Sequence, residues 1–125
     1  MAEKLKRWAT GTDIPDSMFL HSLLDDTDGL HLVFVRSDEQ KTIKISFDTY
    51  LSFRNADEGD RLKFLNEVEG LEKWPLYIVE NSEFLKWFHE QTYNIHQAVD
   101  IKHYAFITPD DIVEILARDA PVIES

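Results

Sequence analysis

Ile101-Lys-His-Tyr-Ala-Phe-Ile107-Thr108-Pro-Asp-Asp-Ile-Val-Glu-Ile-Leu116 decides the fold class, because its two halves suit different geometries. Ile101 to Ile107 is rich in β-branched and aromatic side chains, as a strand is. Thr108-Pro109-Asp110-Asp111 has the composition of a helix start: a hydroxyl N-cap, proline at the first helical position, and acids in the first turn. A helix from there turns Ile112, Val113, Ile115 and Leu116 to the core and stops by Pro121. A similar unit precedes it. Trp74-Pro-Leu-Tyr-Ile-Val79 is apolar on both faces and reads as a central strand, with Pro75 confined to its beginning. Ser82 then caps a helix whose first turn carries Glu83 and whose buried stripe is Phe84, Leu85, Trp87 and Phe88, ending near Thr92. Residues 93–100 read as a loop.

The N-terminal half is β-patterned. Met18 to Leu24 leads into Asp25-Asp26-Thr27-Asp28-Gly29, a turn signal, and then into Leu30-His-Leu-Val-Phe-Val35. This predicts a β-hairpin with the Asp-Gly pair at its turn; the first arm also suits a short helix after Pro15, through Phe19, Leu20, Leu23 and Leu24. After a polar turn at 37–41, Thr42-Ile-Lys-Ile-Ser-Phe47 alternates as a half-buried antiparallel strand does. Tyr50 to Arg54 reads as a strand, the acidic residues 55–60 as a loop, and Arg61 to Val68 as weakly helical. A run of strands followed by two strand–helix units predicts one α+β domain spanning the chain. It has an antiparallel sheet of about five or six strands with two or three helices packed on it.

Against this core stands the charge. The chain has 24 acidic and 13 basic residues, a formal net charge of −11, yet also 8 Phe, 4 Tyr and 3 Trp to bury. Excess negative charge gathers at Asp25, Asp26 and Asp28, at Asp57, Glu58 and Asp60, and around Asp110, Asp111 and Glu114, while residues 1–8 are locally basic. Such a field repels nucleic acid and anionic lipid and attracts basic proteins, although acidity also serves solubility alone. With no cysteine, thiolate metal sites and thiol nucleophiles are excluded. The charged N-terminus is unlike a signal peptide and no stretch approaches membrane-span length, so a cytoplasmic, soluble protein is expected.

No catalytic or cofactor motif stands out. The histidines at 21, 31, 89, 96 and 103 have no helical i, i+4 pairing, so neither a metal site nor a cofactor is expected, although His21 and His31 would lie on adjacent hairpin arms. The four glycines are too dispersed for a phosphate-cradling loop. Ser82 sits between strand and helix, where nucleophiles occur, but without the flanking glycines of a nucleophile elbow. The three tryptophans, Trp8, Trp74 and Trp87, are expected in the core rather than as a ligand-stacking platform, because two of them fall on apolar stripes. Arg54 leaves a strand just before Asp57 and Glu58. An ion pair with them either only fixes the loop or helps present its carboxylates to a basic partner.

The segments Trp74-Pro-Leu-Tyr-Ile-Val-Glu-Asn-Ser82, Trp87-Phe88, His103-Tyr104 and Thr108-Pro-Asp-Asp111 resemble small bacterial proteins. Some of these look like immunity proteins of polymorphic toxin or contact-dependent inhibition systems. The resemblance spans residues 40–118 and rests on core, cap and turn positions. It implies a cytoplasmic antidote that binds one toxin domain, such toxins often being basic nucleases. On that reading the anchors are Asp25, Asp26, Asp28, Arg54, Asp57, Glu58 and Asp60. Two alternatives remain. One is a small-ligand or enzymatic domain with His103, Tyr104 and Arg54 around a pocket; the other is an adaptor that uses an exposed sheet edge.

Overall fold

The computed structural model describes residues 2–8, 10–11, 13–36 and 41–124. Its frame is two antiparallel sheets packed face to face. The five-stranded sheet has the order β1 (Lys4–Arg7), β6 (Leu76–Glu80), β7 (Lys102–Ile107), β8 (Asp111–Ala117), β5 (Ser52–Asp57). The four-stranded sheet has the order β2 (Met18–Asp26), β3 (Gly29–Arg36), β4 (Thr42–Phe47), β9 (Val122–Glu124). Helices α1 (Leu62–Glu67) and α2 (Glu83–Gln91) lie on the outer face of the five-stranded sheet, and a 3-10 turn at Glu58–Asp60 leads into α1.

Strand alternation builds this layering. Tyr104 and Phe106 of β7, with Val113, Ile115 and Ala117 of β8, meet Leu30, Leu32, Phe34, Ile43, Ile45 and Phe47 of the other sheet in one core. Aromatic contacts cross between the sheets: Phe34 stacks on Phe106 at 5.8 Å between centroids, and Phe47 meets Tyr104 edge-on at 5.4 Å. The alternate residues face outward. Tyr77, Val79, Ala105 and Ile112 receive Phe64 of α1, and Leu116 with Ile101 receives Phe84 and Phe88 of α2.

The chain is therefore richer in β-structure than its sequence suggests, with nine strands and two helices among the described residues. The largest correction is at 108–116, which is not a helix. Thr108 Oγ1 accepts the Asp111 amide at 2.9 Å, as an N-cap would, but the Thr108 amide also donates to the Asp111 carbonyl at 2.9 Å and closes a tight hairpin. What decides is the run that follows. Ile112 to Ala117 is buried throughout, so both faces need cover, and a central strand supplies that where a helix could hide only one stripe. A second correction extends β5 through Asn55, Ala56 and Asp57, which pair with Val113, Ile112 and Asp111 rather than forming a loop. The edge strands β1 and β9, four and three residues long, are too short to show an alternation.

The first hairpin is a strand pair, as its β-patterning suggests. A bulge between Leu20 and Ser22 lets Leu20 and Leu23, three residues apart, both pack on the core, which is why the arm also has helical spacing. Thr27 and Asp28 form the turn, one residue earlier than the Asp-Gly pair. Gly29 follows with φ 124, and a Cβ there would stand 2.1 Å from the Phe47 carbonyl oxygen. The expected turn at 37–41 falls largely on 37–40, outside the described residues. The stripe of α2 also needs correcting: Phe84 and Phe88 are buried, but Trp87 is half-exposed.

Candidate functional site

The outer face of the five-stranded sheet holds a buried polar cluster between the two helices. At its centre is Glu114 of β8, fully buried, whose register partners are Arg54 on β5 and Ala105 on β7. Arg54 grips the carboxylate with both arms of its fork, Nε to Oε1 at 3.0 Å and Nη2 to Oε2 at 2.9 Å. Arg61, just before α1, donates to Oε1 from the other side. The two guanidinium groups lie over Phe84 and Phe64, 4.3 Å and 4.5 Å from the ring centroids. His103 Nε2 stands 2.8 Å from Oε2 but off the N–H axis, so this is a close electrostatic contact rather than an aligned hydrogen bond. Burial pushes the Glu114 pKa up, but His103 and the Arg54 fork outweigh it and hold the carboxyl well below the usual carboxylate range.

The chain of groups continues to α2. His103 Nδ1 lies 2.6 Å from Ser82 Oγ, and the same oxygen accepts the Leu85 amide at 2.9 Å. Serine, histidine and carboxylate in series have the composition of a hydrolytic relay, but the arrangement differs from one. The serine is on Nδ1 and the acid on Nε2, the hydroxyl is buried as a helix cap, and two arginines hold the acid. What the cluster does mechanically is plain: four side chains tie β5, β7 and the starts of both helices to the one carboxylate on β8.

The expected ion pair between Arg54 and the acids at 57–58 is therefore replaced by one with Glu114. Arg54 stands opposite Glu114 in the ladder, whereas Asp57, three residues along the same strand, has the opposite parity. The small-ligand expectation is split in the same way. His103 and Arg54 meet at Glu114, but Tyr104 faces the sandwich core. A surface cleft of about 490 Å3 does lie beside Arg61, bordered by Glu3, Asp60, Phe64, Glu67 and Glu83. Among the described residues, no three His, Asp or Glu side chains are arranged to hold a metal ion.

The predicted acidic anchors fall into two separate groups, and Arg54 belongs to neither, being held on Glu114. Asp25, Asp26 and Asp28 are exposed at the tip of the β2–β3 hairpin. There Tyr50 Oη donates to Asp25 at 2.5 Å, His31 Nε2 lies 3.3 Å from Asp26, and Asp26 accepts the Asp28 amide at 2.8 Å. Asp57, Glu58 and Asp60 lie at the far end of β5, separated from Tyr50 by the strand's length of about 17 Å. Asp57 accepts the Gly59 amide at 2.8 Å, and the Glu58 amide donates to the Asp110 carbonyl at 3.0 Å. The structure thus adds Asp110 and Asp111, on the β7–β8 turn, to this second group. Asp57 and Asp111 are direct cross-strand partners, and burial, then Asp110 and Asp57, push the Asp111 pKa up.

Sequence reasoning missed a third feature. Midway along α2 and in the turns beyond it, Trp87, Tyr93 and Ile95 are 49%, 90% and 73% exposed. The only signal for it was two large apolar residues, Tyr93 and Ile95, in a segment expected to be a loop. No family model, no curated protein and no solved structure matches this chain.

Proposed function

We propose that this chain is an acidic protein-binding module, a cytoplasmic immunity-type antidote that captures and neutralises a basic, nuclease-like toxin domain. The observation that carries the reading is the cross-strand pair Asp57–Asp111, with Glu58, Asp60 and Asp110 beside it. Like charges directly opposite in a ladder weaken the sheet, so beyond the Asp57 cap on the Gly59 amide folding gains little from this grouping. A basic partner surface turns that repulsion into attraction and speeds encounter. The net charge of −11 and the exposed acids of the hairpin tip support the same reading. The Ser82–His103–Glu114 series supports it indirectly, since its groups are buried and engaged in holding the helices.

The test is co-expression with the product of the adjacent open reading frame, followed by measurement of association rates at several salt concentrations. The expected result is a complex whose association rate falls steeply with salt, and roughly tenfold on reversal of Asp57, Glu58 and Asp60 to Lys. An unchanged rate after reversal of these three and of Asp25, Asp26 and Asp28 removes electrostatic capture. Absence of any complex removes the reading itself.

A further inference from the structure

We infer that the outer side of α2 and the turn that follows it form the surface on which the basic protein partner docks, with Trp87 and Tyr93 as its anchors; the inference rests on the function proposed above. Two independent features point there. The first is the setting of Trp87. It stands on the edge of the helix, 49% exposed, while Phe84 and Phe88 supply the buried contacts. Its neighbours on the helix surface, four residues before and three after, are Glu83 and Glu90, both exposed. An indole face flanked by two carboxylates suits an arginine or lysine side chain, which is drawn to the ring and to the acids together. Lys86 lies 3.2 Å from Glu83 in an exposed pair that a partner cation can displace.

The second feature is the conformation of Tyr93. The helix closes with the Thr92 amide on the Phe88 carbonyl at 3.1 Å and the Asn94 amide on the His89 carbonyl at 2.8 Å. This leaves Tyr93 left-handed, with φ 52, followed by Asn94 at φ 61. Glycine takes that position at least cost, and a bulky residue is disfavoured there. The ring receives little packing in return, being 90% exposed. Stability gives no reason for a tyrosine at this point, whereas a contact outside the chain does.

Charge selects the occupant. Between residues 83 and 102 the formally charged residues are Glu83, Lys86, Glu90, Asp100 and Lys102, with Lys86 beside Glu83 and Lys102 beside Asp100, each at 3.2 Å, and a second copy of the chain would bring its own −11. A basic protein face with an apolar recess for the two rings fits; a self-dimer meets repulsion.

The experiment uses the full chain and the adjacent reading frame's product as probe, with Tyr93→Gly, Trp87→Ala and, on the opposite sheet, Leu24→Ala. We expect Tyr93→Gly to melt no lower than the parent protein, yet to release the partner roughly tenfold faster. Trp87→Ala releases it faster to a similar degree, and Leu24→Ala leaves release unchanged. Parent-like release from both ring variants overturns the docking surface and leaves the proposed function standing. A markedly lower melting temperature for Tyr93→Gly overturns the strain argument by giving Tyr93 a structural role. Concentration-dependent dimers of the chain alone, abolished by Trp87→Ala, assign the surface to a second copy instead. If the parent chain forms no complex at all, the proposed function fails together with the inference.

Discussion

Arg54 and Glu114 face each other across the β5–β8 ladder and close a two-armed ion pair, at 2.9 and 3.0 Å, in which the carboxylate is fully buried and the guanidinium half-exposed. The pair is asymmetric in consequence. The acid has no access to water, so its charge is met by the Arg54 and Arg61 guanidinium groups, with His103 packed beside it.

Removing the acid's charge therefore costs more than removing one arginine. Glu114→Gln leaves Arg61, little exposed, without its counter-charge and should destabilise the fold by about 3 kcal/mol or more. Arg54→Ala, at the wet end of the pair, should cost roughly half as much. Urea unfolding midpoints compare the two, and equal losses would contradict this placement of the burial.

The acid limb of stability follows from the direction of the Glu114 shift. Its folded pKa is depressed, so its contribution is present above the ordinary value of 4.5 and is lost as pH falls below it. The stability difference between parent and Glu114→Gln should accordingly be constant near neutrality and shrink progressively below pH 4.5. A pH-independent difference would mean that the variant acts through packing alone.

Asp111 has the opposite sign. Its folded pKa is raised above the ordinary 3.8, so its ionisation destabilises the fold as pH rises through the folded value. Asp111→Asn should stabilise the chain at pH 7 by a few tenths to about 1 kcal/mol, with the gain vanishing below pH 3.8. Thermal melts at pH 7 and pH 3 read both ends, and a loss of stability at pH 7 would show that the carboxylate has a favourable partner.

Gly29 should be irreplaceable where Gly11 is not. A Cβ at 29 would meet the Phe47 carbonyl oxygen at 2.1 Å, while nothing lies within 4 Å of one at Gly11, although both have positive φ. Gly11→Ala should cost about 1 kcal/mol of backbone strain, and Gly29→Ala several times that or loss of folding. Chemical denaturation of both, with soluble yield as a second readout, separates steric from conformational cost.

Ser82→Ala removes both the helix cap and the hydroxyl partner of His103. A loss of about 1–2 kcal/mol is expected, with faster amide exchange confined to the first turn of α2. Exchange that quickens across β7 instead would place the main role of Ser82 on the histidine.

Local chemistry was enough to read several elements from the chain. The strict alternation of Thr42 to Phe47 marks β4, the cap and stripe from Ser82 to Phe88 mark α2, and the acids around 27 mark a turn. In each case residues near in sequence satisfy one another: a hydroxyl its amide three residues on, an apolar face its period.

Only tertiary structure decided the rest. Thr108-Pro-Asp-Asp has a helix start's chemistry, and its threonine does accept the amide three residues later. Yet Ile112 to Ala117 becomes a strand, because sheet partners on both sides and cover on both faces reward full burial. Glu114 reads as one more acid near a helix start; nothing nearby in sequence says that Arg54, 60 residues away, will stand opposite it. The sequence by itself determined the amount of charge and the residues able to make a core. Which charges were buried in pairs and which were left outward, at Asp57 and Asp111, depended on strand register, a long-range property that no local pattern encodes.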